Sequence, residues 1–176
     1  NEGVILRKIE RAGRKCYQST HKVTKTSAPK FIKNILKRKH VSVIEHEKIS
    51  VDIICDRGVS HEIVRHRIAS YSMESTRYCN YSKNKFGNEI TVIEPCFWNT
   101  TQRNYHTWKQ ACATAEVLYF ELIKDGAKPE EARSVLPNSL KTEITVTFNI
   151  REWRHFFTLR CSKKAHPQMR EIAVPM

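Results

Sequence analysis

The sequence is poor in the features that mark membrane, disulfide-rich and disordered proteins. Its 176 residues include only 5 Gly and 6 Pro, and 40% are hydrophobic, which excludes low-complexity and disordered classes. Apolar runs such as 146–150 are far shorter than the ~18–20 residues that span a bilayer. Charged residues follow Val4 to Leu6 at once, unlike a signal peptide. The 6 cysteines include no Cys-x-x-Cys pair, so we expect free thiols in a cytoplasmic protein.

Acidic residues are also scarce relative to basic ones. The chain has 31 Lys+Arg against 18 Asp+Glu, a formal net charge of +13. Such a charge favours anionic partners, which include phosphates, carboxylates and nucleic acid. At roughly 100–200 residues per domain, the length predicts one domain over residues 1–176.

The spacing of apolar residues predicts an α+β domain, with a mostly antiparallel sheet packed against helices. Helices are predicted over 4–16, from Pro29, over 60–67 with Ser60 as the cap, over 101–124 and after Pro129. A further helix follows Asn149, which pairs with Glu152 in a pattern typical of a capping box. Strands are predicted over 49–55, 88–95 and 142–150. The last of these alternates strictly, which is typical of a half-buried strand.

Residues with reactive or charged side chains concentrate in segment 59–78. A zinc-protease motif, His-Glu-x-x-His, fails there because Arg65 stands where the second histidine would be, so we predict no metal site. Instead, an Arg-His-Arg cluster is followed by hydroxyls and another arginine. Guanidinium groups stay charged and bind phosphates and nucleobase edges through two parallel hydrogen bonds. A surface helix that is merely basic would not explain the hydroxyls.

This cluster reads Arg65-His66-Arg67-x-x-Ser70-x-x-x-x-Ser75-x-Arg77. It resembles the signature Arg-His-Arg-x₂-Ser-x₄-Ser-x-Arg of flavin-dependent thymidylate synthases at all six fixed positions. Segments 40–46, 132–137 and 149–160 resemble further blocks of the same family, in the expected order. Together the four blocks cover most of the chain.

The resemblance implies a flavin-dependent thymidylate synthase-like fold and an activity. Members of the family methylate dUMP at uracil C5 to give dTMP; methylenetetrahydrofolate supplies the carbon, and FAD reduced by NADPH supplies the hydride. They form homotetramers whose active sites are shared between subunits. Compared with the family, this chain looks short at both termini.

The resemblance also implies the site residues. FAD is expected at Ser42, Arg65, His66, Arg67, Ile68, Met73, Asn149, Arg151 and His155. The nucleotide is expected at Glu62, Arg65, Ser75, Thr76, Arg77, Arg133 and Arg160. No Gly-x-Gly-x-x-Gly turn is present, so side chains must hold the flavin pyrophosphate.

Arg160 resembles the family residue that is placed against the pyrimidine ring, so we predict that it is the catalytic residue. A guanidinium cannot act as a base, so its expected role is to stabilise negative charge at N3 and O2 of uracil as C5 becomes nucleophilic. Cys79 is then predicted to be a packing residue and not a nucleophile. Ser70 has no evident general base beside it except His66, so we assign it to binding.

Two alternatives stay open. A basic nucleic-acid-binding module would explain the net charge and the lysine-rich segment 30–39, although it does not require the six-position motif. A flavin-binding relative without catalysis is the other, because Met73 stands where relatives commonly carry Gln or Glu. No membrane partner is expected, and nucleic acid is disfavoured as a partner.

Overall fold

The structure is a computed structural model that describes residues 2–84 and 87–176. Its strands are β1 (Lys48–Asp56), β2 (Ala69–Met73) and β3 (Lys141–Asn149). Its helices are α1 (Glu2–Lys15), α2 (Ser27–Lys37), α3 (Arg57–Ile63), α4 (Arg103–Lys124), α5 (Pro129–Ala132), α6 (Ile150–Arg160) and α7 (Pro167–Ala173). Short 3₁₀ helices cover Thr20–Lys22, Val41–His46 and Arg133–Val135. This combination confirms the predicted α+β class.

The sheet has the strand order β1-β3-β2, and β3 is antiparallel to both neighbours. Val146 in β3 lies opposite Val51 on one side and Tyr71 on the other. The predicted alternation is confirmed along β3: Thr142, Ile144, Val146 and Phe148 are buried, and Glu143 and Thr145 are exposed. One face of the sheet therefore carries the core.

The main core lies between that face and helices α3, α6 and α7. Its fully buried members include Ile63, Val146, Phe148, Phe156 and Met169. The rings of Phe148 and Trp153 have centroids 4.5 Å apart. Burying each such side chain contributes about 1.5–3 kcal/mol, so this packing fixes α3 and α6 against the same sheet.

Two smaller clusters hold the remaining elements. One joins α1, α2 and the 3₁₀ helix Val41–His46 through Ile9, Ile32, Ile35 and Ile44. The other joins α4 to the segment before β3 through Tyr119, Tyr81 and Leu140, among others. The predicted helices over 4–16 and 101–124 and the helix after Pro129 are confirmed within one or two residues. Gly126 follows α4 with φ +95°, a conformation that favours glycine.

The predicted helix over 60–67 is wrong at both ends. The cap is Asp56, whose Oδ1 accepts the backbone N–H of Val59 at 2.7 Å, whereas the Ser60 hydroxyl donates back to the carbonyl of Arg57. The helix ends at Ile63, whose carbonyl accepts the backbone N–H of His66 at 3.1 Å and lies 2.9 Å from the Tyr71 hydroxyl. The chain then turns through His66 into β2.

Other predictions also need correction. Segment 88–95 is not a strand, because its only bridge within the described ranges pairs Val92 with Leu140. Strand β2 and helix α7 were not predicted from the spacing of apolar residues. Ile150 opens α6 and does not extend β3, because Asn149 already caps the helix. No helix in the described ranges is both long and apolar enough to cross a bilayer.

Candidate functional site

The last turn of α6 places the Arg160 guanidinium within hydrogen-bonding distance of Glu62 in α3 and of His66 in the turn after α3. Its Nη1 donates to Oε2 of Glu62 and its Nη2 to the Glu62 carbonyl, both at 2.7 Å. Its Nε donates to Nε2 of His66 at 3.1 Å. Three of the donors of one guanidinium are thus bonded to α3 and to the turn after it. These bonds fix the position and orientation of Arg160.

His66 lies inside the fold and has a second partner. Its Nδ1 lies 2.8 Å from Oε1 of Glu152, and both residues are buried. Its ring packs on Phe148 and Phe156, with centroids 5.8 and 5.1 Å away. Burial lowers the pKa of His66 below its usual value near 6.5, although Glu152 opposes this shift. A neutral ring follows, as is required for Nε2 to accept from an arginine.

Four of the nine residues expected at the flavin line one pocket of about 320 Å³. Its lining residues are Glu45, Ile68, Asn149, Arg151, Glu152 and His155. Arg151 forms an ion pair with Glu45, and the ring centroid of His155 is 5.6 Å from that of His66. The start of α6 therefore brings together cationic, amide and imidazole donors.

The other residues expected at the flavin lie outside this lining. Arg65 and Arg67 are exposed in the turn between α3 and β2. Met73 is half-buried at the end of β2, where it packs against the main core. Ser42 is exposed on the 3₁₀ helix Val41–His46, which contacts α6.

A second pocket, of about 250 Å³, holds two of the residues expected at the nucleotide. Thr76 and Arg133 line it, and an Nη1–H of Arg133 donates to the Thr76 hydroxyl at 3.4 Å. Arg57 and His61 of α3 line the same pocket. Three basic side chains and a hydroxyl in one concave space are suited to an anion.

The half-buried Ser75 and the exposed Arg77 flank Thr76 in the sequence. The Nε of Arg77 donates to Oε2 of Glu130 at 2.7 Å, and more than half of the Arg77 side chain is exposed. The Ser75 hydroxyl accepts the backbone N–H of Arg77 at 3.3 Å. The carboxylate of Glu130 thus holds the side chain that was expected to meet phosphate.

Sequence reasoning missed several site residues. Glu152 was expected to complete a capping box, yet it is the partner of His66, whereas Asn149 accepts the Glu152 N–H at 2.8 Å as predicted. Glu45 and Glu130 were not assigned roles as partners of arginines. The one signal for Glu152 was its place in the block 149–160. Nothing local pointed to Arg57 and His61, because the pocket forms only in the fold.

Comparisons with known proteins match the chain over nearly its whole length. A family model described as Thymidylate synthase complementing protein matches residues 5–176. The flavin-dependent thymidylate synthase of Geobacter sulfurreducens is 38% identical over 175 residues, 94% of this chain and 72% of that protein.

Two further relatives carry the same name. The protein from Pyrococcus furiosus is 36% identical over 160 residues, 90% of this chain and 65% of its own length. The one from Mycobacterium tuberculosis is 33% identical over 184 residues, 94% of this chain and 71% of its own length. The chain thus spans about two thirds to three quarters of these relatives. By this match and by its Arg-His-Arg motif, the chain belongs to the thymidylate synthase complementing protein family, in which these relatives are flavin-dependent thymidylate synthases.

Proposed function

We propose that residues 1–176 act as one domain that converts dUMP to dTMP by reductive methylation. The observation that carries the proposal is the position of Arg160, which bonds a residue expected at the nucleotide, Glu62, and a residue expected at the flavin, His66. A fixed positive charge at that junction is suited to activate the base beside the cofactor.

The donor set around the first pocket fits FAD. A flavin dinucleotide needs donors for its pyrophosphate, and here Arg151, Asn149 and His155 face one pocket with the exposed Arg65 and Arg67 on the adjoining turn. Ile68, which is 68% exposed, offers apolar surface to a ring system. When bound, FAD reduced by NADPH would supply the hydride, with methylenetetrahydrofolate as the carbon donor.

The second pocket fits the phosphate of dUMP. Arg133 and Thr76 supply donors inside it, and Ser75 and Arg77 stand on either side of Thr76 in the sequence. A phosphate monoester would replace the Glu130 carboxylate as the partner of Arg77, since both offer oxygens to the same guanidinium. These residues would set nucleotide affinity.

Arg160 would set the rate of the chemical step. Its pairing with Glu62 and His66 uses three N–H groups of the five that a guanidinium has. The other two are available to stabilise negative charge as it develops at N3 and O2 of uracil. Their fixed charge would stabilise the anion that makes C5 nucleophilic, and no cysteine attack at C6 is needed.

We further propose a homotetramer with shared sites. The exposed position of Ser42, outside the lining of the pocket, is what a residue that serves a neighbouring subunit would show. We place the enzyme in the cytoplasm, because all 6 cysteines, every one within the described ranges, are free. Light scattering tests the assembly, and active monomers would contradict it.

The test of function combines a spectrum with a chemical readout. Purified protein should show flavin absorbance, or gain it on incubation with FAD, and should release tritium from C5-labelled dUMP when folate and NADPH are added. Protein that binds flavin without tritium release would favour a non-catalytic relative. Colourless protein that binds nucleic acid with a steep salt dependence would instead favour the nucleic-acid-binding alternative.

A further inference from the structure

Glu152 is a buried carboxylate that the proposed reaction does not use directly. It stands in the first turn of α6 and is 8% exposed. Its backbone N–H donates to the Asn149 side chain, whereas its carboxylate bonds His66 and not the backbone N–H of the cap residue. The carboxylate is directed to Nδ1 of His66 at 2.8 Å. Burying a carboxylate costs free energy, so we expect one that bonds an imidazole nitrogen inside the fold to have a function.

The hydrogen bonds around His66 dictate where its proton lies. Arg160 can only donate, so the Nε2 atom that it contacts must carry a lone pair. The proton of a neutral ring is then on Nδ1, where Glu152 accepts it. The opposite tautomer would set two N–H donors face to face at 3.1 Å.

We propose that Glu152 is a positioning residue, which holds His66 as the Nδ1–H tautomer and thereby orients the guanidinium of Arg160. The inference deepens the proposed function, since it rests on Arg160 being the residue that activates uracil. Glu152 lies on the same helix as Arg160 but acts through a different element, because His66 belongs to the turn after α3. The chain Glu152, His66, Arg160, Glu62 thus links both ends of α6 to α3 and its turn.

The groups that face His66 support a neutral ring. Arg160 and His155 on α6 oppose a positive charge on it, and Phe148 and Phe156 exclude water. Among the residues that the structure describes, Glu152 is the partner that favours protonation. A protonated ring would lose its bond with Arg160, so the geometry requires that burial outweighs Glu152.

The first experiment measures the tautomer without any activity. In ¹⁵N-histidine-labelled protein at pH 7.5, the shifts of His66, assigned by loss of its signals in His66→Gln, should show Nδ1 protonated and Nε2 unprotonated. An Nε2–H ring or an imidazolium would overturn the inference. This result stands whether or not the protein proves to be a thymidylate synthase.

The second experiment compares three variants by tritium release. Glu152→Met keeps the side-chain volume but has no acceptor for Nδ1–H, so kcat should fall about tenfold or more, with KM for dUMP within about twofold because the phosphate contacts lie elsewhere. Glu152→Gln keeps an acceptor oxygen and should recover most of the rate. Glu143→Gln, an exposed carboxylate on β3, is the matched control and should behave as wild type.

Several outcomes would overturn the inference. A Glu152→Met rate within twofold of wild type would do so, as would Glu152→Gln being as slow as Glu152→Met. If Glu152→Met fails to fold, the comparison of Glu152→Gln with wild type and the tautomer measurement still decide. If wild type releases no tritium, the proposed function fails while the tautomer result still tests the hydrogen-bonded chain.

Discussion

Arg160 and His66 share one hydrogen bond, Nε–H to Nε2 at 3.1 Å, across 94 positions of sequence. Since arginine stays charged, the imidazole must be neutral to accept it. The same guanidinium holds Glu62 with its two Nη atoms. The side chain is 18% exposed, so its charge lies in a partly desolvated place where it acts more strongly than in water.

Arg160→Ala should therefore damage the chemical step more than nucleotide binding. Loss of one preorganised donor typically lowers turnover about 10²-fold or more. Arg160→Lys keeps a charge but not the planar fork that serves His66 and Glu62 together, so it should recover little activity. The measurement is tritium release from C5-labelled dUMP, with flavin reduction by NADPH followed separately.

The matched control is Arg154→Ala. Arg154 is an exposed arginine of the same helix that lines neither site pocket, so its variant should release tritium at the wild-type rate. Equal losses in both variants would show that α6 had been disturbed as a whole. Near-normal tritium release by Arg160→Ala would contradict the proposed electrostatic role of Arg160.

Arg77 and Glu130 should affect dUMP affinity in opposite directions. Arg77→Ala removes a phosphate partner and should raise KM for dUMP about tenfold with a small change in kcat. Glu130→Gln removes the carboxylate that competes with phosphate. The pair is exposed and such pairs contribute under ~1 kcal/mol, so KM should fall only about twofold. Steady-state kinetics in dUMP measure both effects, and a rise in KM for Glu130→Gln would show that Glu130 positions Arg77 and does not compete for it.

Much of the fold could be predicted because local periodicity and tertiary burial agree. The alternation along β3 is strict, and α4 has an apolar stripe over its length. Asn149 caps α6 as expected, with its Oδ1 accepting from the N–H of Glu152. In these elements the residues that favour the local structure are the ones that the core buries.

The missed elements depend on contacts that sequence spacing does not show. Strand β2 is only five residues long. Its exposed serines alternate with the half-buried Ala69, Tyr71 and Met73, but Ser70 was interpreted as part of the binding motif and the alternation was not recognised. The end of α3 lies against a residue from another element, since the Tyr71 hydroxyl is 2.9 Å from the Ile63 carbonyl. Spacing also placed Glu152 in a cap, because nothing local reveals that His66, 86 positions earlier, will face it.

Asp56 and Ser60 offer a direct test of the corrected cap of α3. Asp56→Ala should cost about 1–2 kcal/mol of unfolding free energy, because the N–H of Val59 loses its acceptor inside the fold. Asp56→Asn retains an acceptor oxygen and should keep most of that stability. Ser60→Ala should cost about 0.5 kcal/mol or less, because its hydroxyl only donates to a carbonyl of its own helix. Urea denaturation ranks the three, and a larger loss for Ser60→Ala than for Asp56→Ala would reverse the assignment.

Cys79 should prove dispensable for catalysis. Its side chain is half-buried against the cluster that contains Tyr81 and Tyr119, so we expect it to fill space. Cys79→Ser should keep flavin binding and tritium release within about threefold of wild type, with a stability loss of about 1 kcal/mol. Cys16→Ser, a substitution at an exposed cysteine, serves as the control. Abolished tritium release with flavin still bound would identify a thiol nucleophile and displace Arg160 as the source of activation.

His66 should make the protein less stable as the pH falls below 6.5. Burial holds the pKa of His66 below its usual value near 6.5 in the folded state, whereas the unfolded chain takes up the proton at that usual value. Between the two pKa values the unfolded state binds more protons, so stability is full above about pH 7 and declines on acidification. One such group gives a slope of at most about 1.4 kcal/mol per pH unit.

The measurement is the urea unfolding free energy between pH 5 and 8 for wild type and His66→Gln, which cannot titrate at this position. Glu152, His155, Arg160 and the two phenylalanines surround position 66 in both proteins. Their own contribution to the pH dependence therefore cancels when the unfolding free energy of the variant is subtracted from that of wild type. Wild type should lose stability relative to the variant as the pH drops through 6.5. A difference that is flat across this range would mean that the fold does not lower the pKa of His66. A difference that grows in favour of wild type on acidification would mean that the fold favours the protonated ring, which cannot accept a hydrogen bond from Arg160.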